Sequence, residues 1–224
     1  MTTYTLITGA NRGIGLELTR GLLARGAHVL AVVRKSSAEL DALACPQLQV
    51  VDGIDVTDTA APAKVQQAVG KRPLSLLIAN AGILRGSSLQ QLDEENIREQ
   101  FAVNALAPLR LVSSLAPQLE SGAKVALITS RMGCIADNSS GGSYGYRMSK
   151  AALNAAGKSL AVDLRPRNIA VGLLHPGWVQ TEMTGSTGHL SASESADLLL
   201  QRIDELDLDS SGQVVHANGE LLPY

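Results

Sequence analysis

Seven short apolar runs alternate with helix-length segments along this chain of 224 residues, and that order limits the folds open to it. The runs are rich in Val, Ile and Leu, and most of them lack any alternation of polar and apolar side chains. Such runs are typical of strands that are buried on both faces of a parallel sheet. The predicted strands are Tyr4–Ile7, His28–Val33, Leu48–Val51, Leu74–Ala79, Lys124–Thr129, Ile169–Leu174 and Gln213–His216.

The segments between these runs carry helical patterns. A regular alternation of strand and helix predicts an α/β fold, a doubly wound seven-stranded parallel sheet with helices on both faces. No linker or low-complexity stretch interrupts the pattern, so we expect one domain over residues 1–224. The predicted helices are Gly13–Arg25, Ala38–Ala44, Ala60–Val69, Glu94–Leu119, Tyr144–Leu164 and Ser193–Glu205.

A glycine-rich segment, Thr8–Gly15, follows the first predicted strand and begins the first predicted helix. Its three glycines, Gly9, Gly13 and Gly15, permit a tight turn and a close approach of a ligand to the backbone. The helix directs its free N–H groups and the positive end of its dipole toward this turn. Because both features favour a phosphate, the segment is predicted to bind the pyrophosphate of a dinucleotide.

The composition argues against several other partners. The formal net charge of -2 gives no electrostatic basis for binding nucleic acid or an anionic membrane, and one Phe and one Trp are too few for a base-stacking surface. Cys45 and Cys134 form neither a disulfide framework nor a metal site. The first residues lack the pattern of a signal peptide, and no apolar run is long enough to span a membrane. We therefore expect a cytoplasmic protein without nucleic acid, membrane or metal partners.

The end of the second predicted strand bears on which dinucleotide is bound. NAD sites of this kind carry an acidic residue about 20 positions beyond the glycines. Here Arg34 and Lys35 follow the strand, with no acid. The Arg34 guanidinium can bind a 2′-phosphate in a forked geometry, and Arg12 in the glycine turn can flank the same phosphate. The alternative is that Arg34 is a solvated charge at a strand end; we favour NADP(H) over NAD(H).

Tyr146 and Lys150 lie four residues apart near the start of a predicted helix, so their side chains share one helix face. A free tyrosine has a pKa of about 10 and is a poor base at neutral pH. A neighbouring ammonium favours the phenolate and lowers that pKa. The pair can then exchange a proton with an alcohol or an alkoxide. Taken alone, a tyrosine and a lysine at this spacing usually just share a helix surface.

Ser130 closes the fifth predicted strand at the carboxyl edge of the sheet. Its hydroxyl can hydrogen-bond a substrate carbonyl oxygen and stabilise developing negative charge there. Ser143 is the competing hydroxyl, but it stands too close to Tyr146 in the chain for a strand end. No histidine and acid accompany Ser130, which excludes a hydrolase triad.

Asn104 lies inside the predicted helix Glu94–Leu119, four residues before Pro108. Proline has no N–H, so the Asn104 carbonyl loses its usual helical partner. We hypothesise that this carbonyl holds a water that is linked to Lys150 and begins a proton path to solvent. The alternative is an asparagine that faces solvent.

Two long segments rich in Gly, Ser, Thr and Asn follow predicted strands at the same edge of the sheet. They are Arg131–Ser143 and Gly177–Ala192. Loops of that length in a compact domain are usually lids or binding loops, so we expect both to border a ligand site.

The order of these motifs resembles the short-chain dehydrogenase/reductase family over nearly the whole chain. Within the family, Tyr144–Asn154 and His175–Val179 are similar to the carbonyl reductases of the sniffer type and to the bacterial C-factor signalling protein. The spacing from Ser130 to Tyr146 is slightly longer than the family's usual spacing. The motifs are Thr8-Gly9-x-x-x-Gly13-x-Gly15, Asn80-Ala81-Gly82, Asn104, Ser130, Tyr146-x-x-x-Lys150 and Pro176-Gly177.

The resemblance implies a Rossmann-type fold and assigns roles. Asp55, with Val56 beside it, would meet the adenine, and Val179 and Thr181 would contact the nicotinamide carboxamide. Asn80 would lie near the ribose. The implied catalytic residues are Asn104, Ser130, Tyr146 and Lys150. The implied cofactor-binding residues are Gly9, Asn11, Arg12, Gly13, Ile14, Gly15, Arg34, Asp55, Val56, Asn80, Ala81, Gly82, Tyr146, Lys150, Pro176, Gly177, Val179 and Thr181.

The implied activity is hydride transfer from NADPH to the carbonyl of a small aldehyde, ketone or quinone, with alcohol oxidation as the reverse reaction. The alternative is a signalling or redox-sensing protein that binds the nucleotide and for which turnover is secondary. Small residues along the helix Tyr144–Leu164 allow another helix to approach closely. In this family that helix commonly contributes to a dimer, so we expect a homodimer, with a monomer as the alternative.

Overall fold

An eight-stranded sheet runs through the centre of the computed structural model, which describes residues 2–224. The strand order is β3-β2-β1-β4-β5-β6-β7-β8, and every neighbouring pair from β3 to β7 is parallel. The predicted doubly wound α/β fold is therefore confirmed. The strands are β1 (Tyr4–Thr8), β2 (His28–Val32), β3 (Leu48–Val51), β4 (Leu74–Ala79), β5 (Leu119–Ile128), β6 (Ala170–His175), β7 (Val214–His216) and β8 (Leu221–Leu222).

The prediction of seven strands was one strand short. β8 pairs antiparallel with β7, where Val214 lies opposite Leu222 and Val215 opposite Leu221. Two residues carry no readable pattern of their own, so only the neighbouring strand identifies this pair as part of the sheet.

The helices lie close to the predicted segments with one exception. None of the helices in the described part of the chain is both long and apolar enough to cross a membrane. The helices are α1 (Gly13–Ala24), α2 (Ala38–Asp41), α3 (Ala61–Val69), α4 (Glu94–Phe101), α5 (Ala107–Leu115), α6 (Tyr144–Leu164) and α7 (Ala192–Glu205).

The exception is the long helix predicted over Glu94–Leu119, which is wrong in its middle and at its end. A π-helical segment, Ala102–Leu106, separates α4 from α5, and there the Ala107 N–H donates to the Ala102 carbonyl five residues earlier. Pro108 follows at once and cannot donate to the Asn104 carbonyl, so the α-helical ladder is interrupted at this point. The chain then enters β5 at Leu119, where the sequence predicted the end of the helix.

Two hydrophobic layers sandwich the sheet because alternate strand residues point to opposite faces. Leu6 and Leu77 pack with α3, α5 and α6 on one face. Ile7 and Ile78 pack with α1 and α7 on the other. The strand order reverses between β1 and β4, and this reversal opens a crevice at their carboxyl ends.

Candidate active site

The three glycines of the turn between β1 and α1 serve different purposes. Gly9 and Gly13 adopt φ angles of +68° and +53°, a backbone region that other residues rarely occupy. Gly15 is required by packing, since a Cβ atom there would lie 2.1 Å from the Gly9 carbonyl oxygen and 2.5 Å from Asn80 Nδ2. The glycines therefore allow the start of α1 to lie directly against the end of β1.

The first turn of α1 has the features of an anion site. Arg12 precedes the helix with an extended backbone and supplies no side-chain cap, and the first turn holds no acidic residue. The first N–H groups of the helix, Gly13 and Ile14 among them, therefore have no capping carboxylate and can donate to an anion. The Asn11 carbonyl accepts the Ser37 hydroxyl at 2.6 Å, which fixes the outer side of the turn. This cradle fits the pyrophosphate of a nicotinamide dinucleotide.

The loop after β6 crosses over the glycine turn. The Arg12 guanidinium forms an exposed ion pair with Glu182 of that loop. A Cβ atom on Gly13 would lie 3.4 Å from the Thr181 methyl group, so Thr181 faces the turn across the crevice. In this structure Arg12 is thus paired with a carboxylate, whereas the sequence predicted that it would flank the same 2′-phosphate as Arg34.

Asn80 and Thr8 join the ends of β4 and β1. Asn80 Nδ2 donates to the carbonyls of Thr8 at 3.0 Å and Gly9 at 3.2 Å. The backbone N–H groups of Asn80 and Ala81 both donate to the Thr8 hydroxyl at 3.1 Å. Asn80 therefore supports the glycine turn with its amide group. Thr8 is the first residue of the glycine motif, but the motif alone did not predict this role for its hydroxyl.

The residues predicted around the adenosine lie together beside β2 and β3. Arg34 Nη1 is 4.0 Å from Asp55 Oδ2, and the Arg34 side chain is 80% exposed. Asp55 Oδ1 accepts hydrogen bonds from the Thr57 hydroxyl at 2.7 Å and the Thr57 N–H at 2.9 Å, and these bonds hold the pKa of Asp55 below its ordinary value. Val56 lines an apolar cavity together with Thr8. The Asp55 carboxylate is thus bonded within its own loop, to Thr57. The neighbouring Val56 contributes an apolar surface to the cavity.

Tyr146 and Lys150 project from one face of α6 and are almost fully buried, at 7% and 4% exposure. The Lys150 ammonium lies 5.8 Å from the centre of the Tyr146 ring and donates to the Ile128 carbonyl at 2.7 Å. Gly82 leaves room beside this ammonium, because a Cβ atom there would lie 3.8 Å from Lys150 Nζ. The i,i+4 spacing read from the sequence thus brings the two side chains together.

Burial moves the two pKa values in opposite directions. Loss of solvation raises the pKa of Tyr146 to about 12, and hydrogen bonding with Ser130 offsets only part of that effect. Loss of solvation lowers the pKa of Lys150 to about 8. The direction for Tyr146 is opposite to the sequence expectation, because burial penalises the phenolate more than its neighbours stabilise it. At neutral pH the phenol is therefore protonated.

Asn104 lies in the π-helical segment and is fully buried. Its Nδ2 donates to the Ile83 carbonyl at 2.8 Å and to the Ser149 hydroxyl at 3.0 Å, while its Oδ1 accepts from the Ile83 N–H at 2.9 Å. Ser149 in turn donates to the Tyr146 carbonyl at 2.8 Å. The side chain therefore connects the loop after β4 to α6. Sequence reasoning missed Ser149, and its position directly before Lys150 was the available signal.

Ser130 begins the 3₁₀ turn Arg131–Gly133 directly after β5, and its hydroxyl accepts from the Met132 N–H at 3.2 Å. Ser130 and Tyr146 line the same cleft, whose volume is about 300 Å³. The competing Ser143 lies at the N-terminus of α6 with a left-handed backbone, and it is not among the residues that line the cleft.

The predicted residues after β6 form the opposite wall of this cleft. The Pro176 carbonyl accepts from the Ser195 hydroxyl at 2.8 Å, and Gly177 adopts a φ of +89°. Val179 is buried and pairs with Leu190 in an isolated bridge, which folds the loop back on itself.

His175 lies at the base of the cleft, and sequence reasoning gave it no role. Its ring centre is 4.9 Å from that of His216, and its buried Nδ1 has no hydrogen-bond partner among residues 2–224. Burial, with the neighbouring histidine, lowers the pKa of His175 to about 3, so the ring adds no charge to the cleft.

Comparison with known proteins agrees with this geometry. Residues 3–191 match the family described as short chain dehydrogenase. The chain belongs to the short-chain dehydrogenase family. Over 225 residues it is 35% identical to the 1-hydroxy-2-glutathionyl-2-methyl-3-butene dehydrogenase of Rhodococcus sp., with 98% of each chain covered. It is 44% identical over 155 residues to the C-signal protein of Myxococcus xanthus, covering 68% of this chain and 93% of that protein.

Solved structures of carbonyl reductases share the complete fold of this short-chain dehydrogenase. The carbonyl reductase Sniffer of D. melanogaster superposes with a TM-score of 0.92 at 31% identity, and both chains are covered completely. An NADPH-bound carbonyl reductase from chicken fatty liver superposes with a TM-score of 0.90 at 31% identity, over 100% of this chain and 99% of the other. The expected likeness to sniffer-type reductases and to a C-signal protein is therefore confirmed.

Proposed function

We propose that this oxidoreductase transfers hydride from NADPH to the carbonyl group of a small aldehyde, ketone or quinone, and oxidises the corresponding alcohol in the reverse direction. One observation carries the proposal. A phenol that is protonated at neutral pH, Tyr146, and a hydroxyl, Ser130, line one cleft of about 300 Å³ beside a buried ammonium, Lys150. The carbonyl reductases of the same fold support this choice of substrate.

In the proposed mechanism the NADP(H) cofactor supplies the hydride when bound. Tyr146 donates its phenolic proton to the carbonyl oxygen, and its raised pKa of about 12 keeps that proton available at neutral pH. Ser130 donates a hydrogen bond to the same oxygen and stabilises the negative charge that develops there. The Lys150 ammonium favours the phenolate that remains after the transfer.

The proposed cofactor site follows the crevice from the glycine turn to the loop after β6. The glycine turn and the start of α1 would hold the pyrophosphate, and Arg34 would bind the 2′-phosphate of NADP(H) and so favour it over NAD(H). Val56 and Asp55 would border the adenine. The segment Asn80–Gly82 and Lys150 would border the nicotinamide ribose, and Val179 and Thr181 the carboxamide.

The proposed role of Asn104 is to position the others. Both N–H groups of its amide are used, by the Ile83 carbonyl and the Ser149 hydroxyl, and Oδ1 accepts from the Ile83 N–H. The backbone carbonyl, to which Pro108 cannot donate, is the acceptor that we hypothesise for a water between Asn104 and Lys150. A structure with NADPH bound that contained no such water would exclude this part of the mechanism.

The test is NADPH consumption with a panel of aldehydes, ketones and quinones. Wild-type protein should reduce at least one of them, and Tyr146→Phe should lower kcat/KM by about 10²- to 10⁴-fold because the proton donor is lost. Tyr144→Phe is the matched control, since Tyr144 starts the same helix but does not line the cleft. Equal rates for wild type and Tyr146→Phe would overturn the mechanism.

A second candidate function rests on the 44% identity to the C-signal protein. In that case the nucleotide is bound as a signal and turnover is secondary. The panel separates the two: a protein that binds NADPH tightly but reduces no carbonyl compound would favour the signalling role. Ser130 and Lys150 beside Tyr146 favour the enzyme, because a protein that only binds the nucleotide does not need these three groups.

We also propose that the protein is a homodimer formed through α6. Apolar side chains are exposed on α6 and on the neighbouring α4, namely Met148, Val162 and Phe101. Small residues between them on α6 allow a second helix to approach closely. Burial of this surface in a partner copy would remove the apolar area from water.

A further inference from the structure

We propose that the carbonyl substrate carries a carboxylate or a similar anionic group, and that Arg147 binds this group. The inference rests on the proposed reductase function and narrows its substrate class. The Arg147 guanidinium lies at the cleft, and no carboxylate among residues 2–224 is paired with it.

Arg147 follows Tyr146 directly on α6, and its side chain lines the same cleft as Tyr146 and Ser130. Loop oxygens hold the guanidinium in place. Nε donates to the Gly141 and Gly142 carbonyls at 3.3 and 3.2 Å.

The two terminal nitrogens of Arg147 are only partly used. Nη2 donates to the Ser140 hydroxyl at 2.8 Å, and Nη1 makes a long contact of 3.5 Å with the Met132 carbonyl. A guanidinium has five N–H groups, two of them on each terminal nitrogen. At least one N–H on Nη1 and one on Nη2 therefore remain for a ligand, and a guanidinium can bind a carboxylate through two such N–H groups.

None of the partners of Arg147 within residues 2–224 is a carboxylate. The contrast with Arg131, which lines the same cleft, is direct. Arg131 is paired with Asp137 at 3.2 Å and with Glu220 at 2.7 Å, so two acids already compensate its charge. Asp137 is the acidic residue of the cleft lining, and its ion pair is with Arg131, not with Arg147.

The rest of the lining favours a ligand that is apolar apart from one charged end. Leu84, Met132, Trp178 and Met183 form much of the wall. His175 at the base stays uncharged. The apolar body of such a substrate would pack against these side chains while its anionic end meets Arg147. Its carbonyl oxygen would face Tyr146 and Ser130.

The experiment compares charged and uncharged versions of one substrate. The probes are 3- and 4-carboxybenzaldehyde and their methyl esters, which share a ring and a reacting carbonyl. Wild-type protein should have a kcat/KM for the better acid about tenfold above that for its ester, the value expected of a charge-assisted hydrogen bond. Arg147→Gln should reduce this ratio to about one, mainly through KM for the acid.

Two further variants separate binding from folding. Arg147→Glu should reverse the preference, so that 4-(trimethylammonio)benzaldehyde becomes a better substrate than 4-carboxybenzaldehyde, an outcome that loop disruption cannot produce. Arg20→Gln makes the same change of charge on the outer side of α1, away from the cleft, and should keep the wild-type ratio.

Binding is measured separately from turnover through Trp178, the single tryptophan of the chain, which lines the cleft. Quenching of its fluorescence by the acids should be tighter than by the esters and should lose this difference in Arg147→Gln. If the acids bind in this way but are not reduced, the reductase function fails while the anion site stands. Equal affinity for acid and ester in wild type, or the same preference in wild type and Arg147→Gln, would overturn the proposal.

Discussion

Gly133 lies directly against the backbone of Lys150. A Cβ atom on Gly133 would be 2.7 Å from the Lys150 carbonyl carbon and 2.8 Å from its Cβ. The turn that carries Ser130 can therefore rest on α6 only because residue 133 has no side chain. This contact sets the distance between the hydroxyl of the turn and the phenol and ammonium of the helix.

Replacing Gly133 with alanine should consequently displace Ser130 from Tyr146. Backbone atoms that are forced apart cost about 1–3 kcal/mol, so we expect a lower melting temperature and a kcat that falls more than tenfold. Circular dichroism and steady-state NADPH oxidation measure the two effects. Gly86→Ala is the control, since a Cβ atom there would meet nothing within 4 Å in the described part of the chain. Unchanged kcat in Gly133→Ala would contradict the positioning role.

The buried Lys150 ammonium should lower the free energy of unfolding of the protein. Burial lowers its pKa from 10.5 to about 8, which corresponds to about 3 kcal/mol of destabilisation while the amine is charged in both folded and unfolded chains. Lys150→Met removes that cost and loses one hydrogen bond to Ile128, worth about 1 kcal/mol. We expect a melting temperature about 4–8 °C higher at pH 7 and no measurable reductase activity. Lys158→Met, on the exposed side of the same helix, is the control and should change neither the melting temperature nor the reductase activity.

The same comparison should depend on pH in a defined direction. The folded pKa of Lys150 lies below the unfolded value, so the penalty is complete below about pH 8 and disappears as the pH rises to 10.5. The stability advantage of Lys150→Met should shrink across this window in urea titrations. An advantage that grew with pH would show that the amine is not desolvated.

Arg34→Asp should weaken the preference for NADPH. The guanidinium is exposed and its one charged partner among residues 2–224 is Asp55, at 4.0 Å, so it is available to a 2′-phosphate. Loss of a charge-assisted bond and gain of a repelling acid should lower the NADPH/NADH ratio of kcat/KM by about 10- to 100-fold. Lys71→Asp is the control. It makes the same change of charge just before β4, at the amino ends of the strands and therefore away from the cofactor crevice. The same ratio in all three proteins would mean that Arg34 is only a strand-end charge.

Val162→Arg should dissociate the proposed dimer. Val162 is 63% exposed on α6, and a guanidinium there would be buried without a partner in an apolar interface. Light scattering after size exclusion should give the mass of one chain for the variant and of two for wild type. Leu221→Arg, equally exposed but on β8, should keep the wild-type mass. A wild-type protein with the mass of one chain would exclude the dimer.

The sequence predicted much of this site because its signals are local. The glycines of Thr8–Gly15 appear at the β1–α1 junction with the required backbone angles, and the spacing of Tyr146 and Lys150 brings both to one helix face. Two features of the fold were not predicted from the sequence. The π-helical break at Ala102–Leu106 precedes Pro108, and the continuous helical pattern on both sides of that proline concealed it. β8 is only two residues long, so its pairing with β7 left no readable pattern.

What the sequence determined by itself was the order of strands and helices and the identity of the residues at the carboxyl edge, because apolar periodicity and glycine content act over a few neighbouring residues. The tertiary structure decided what those residues can do. It raised the pKa of Tyr146 by burial where the sequence predicted a decrease, committed the Asn104 amide to Ile83 and Ser149, and left Arg147 without an acid. Solvation and charge partners depend on segments that meet only after folding, so no local pattern contains them.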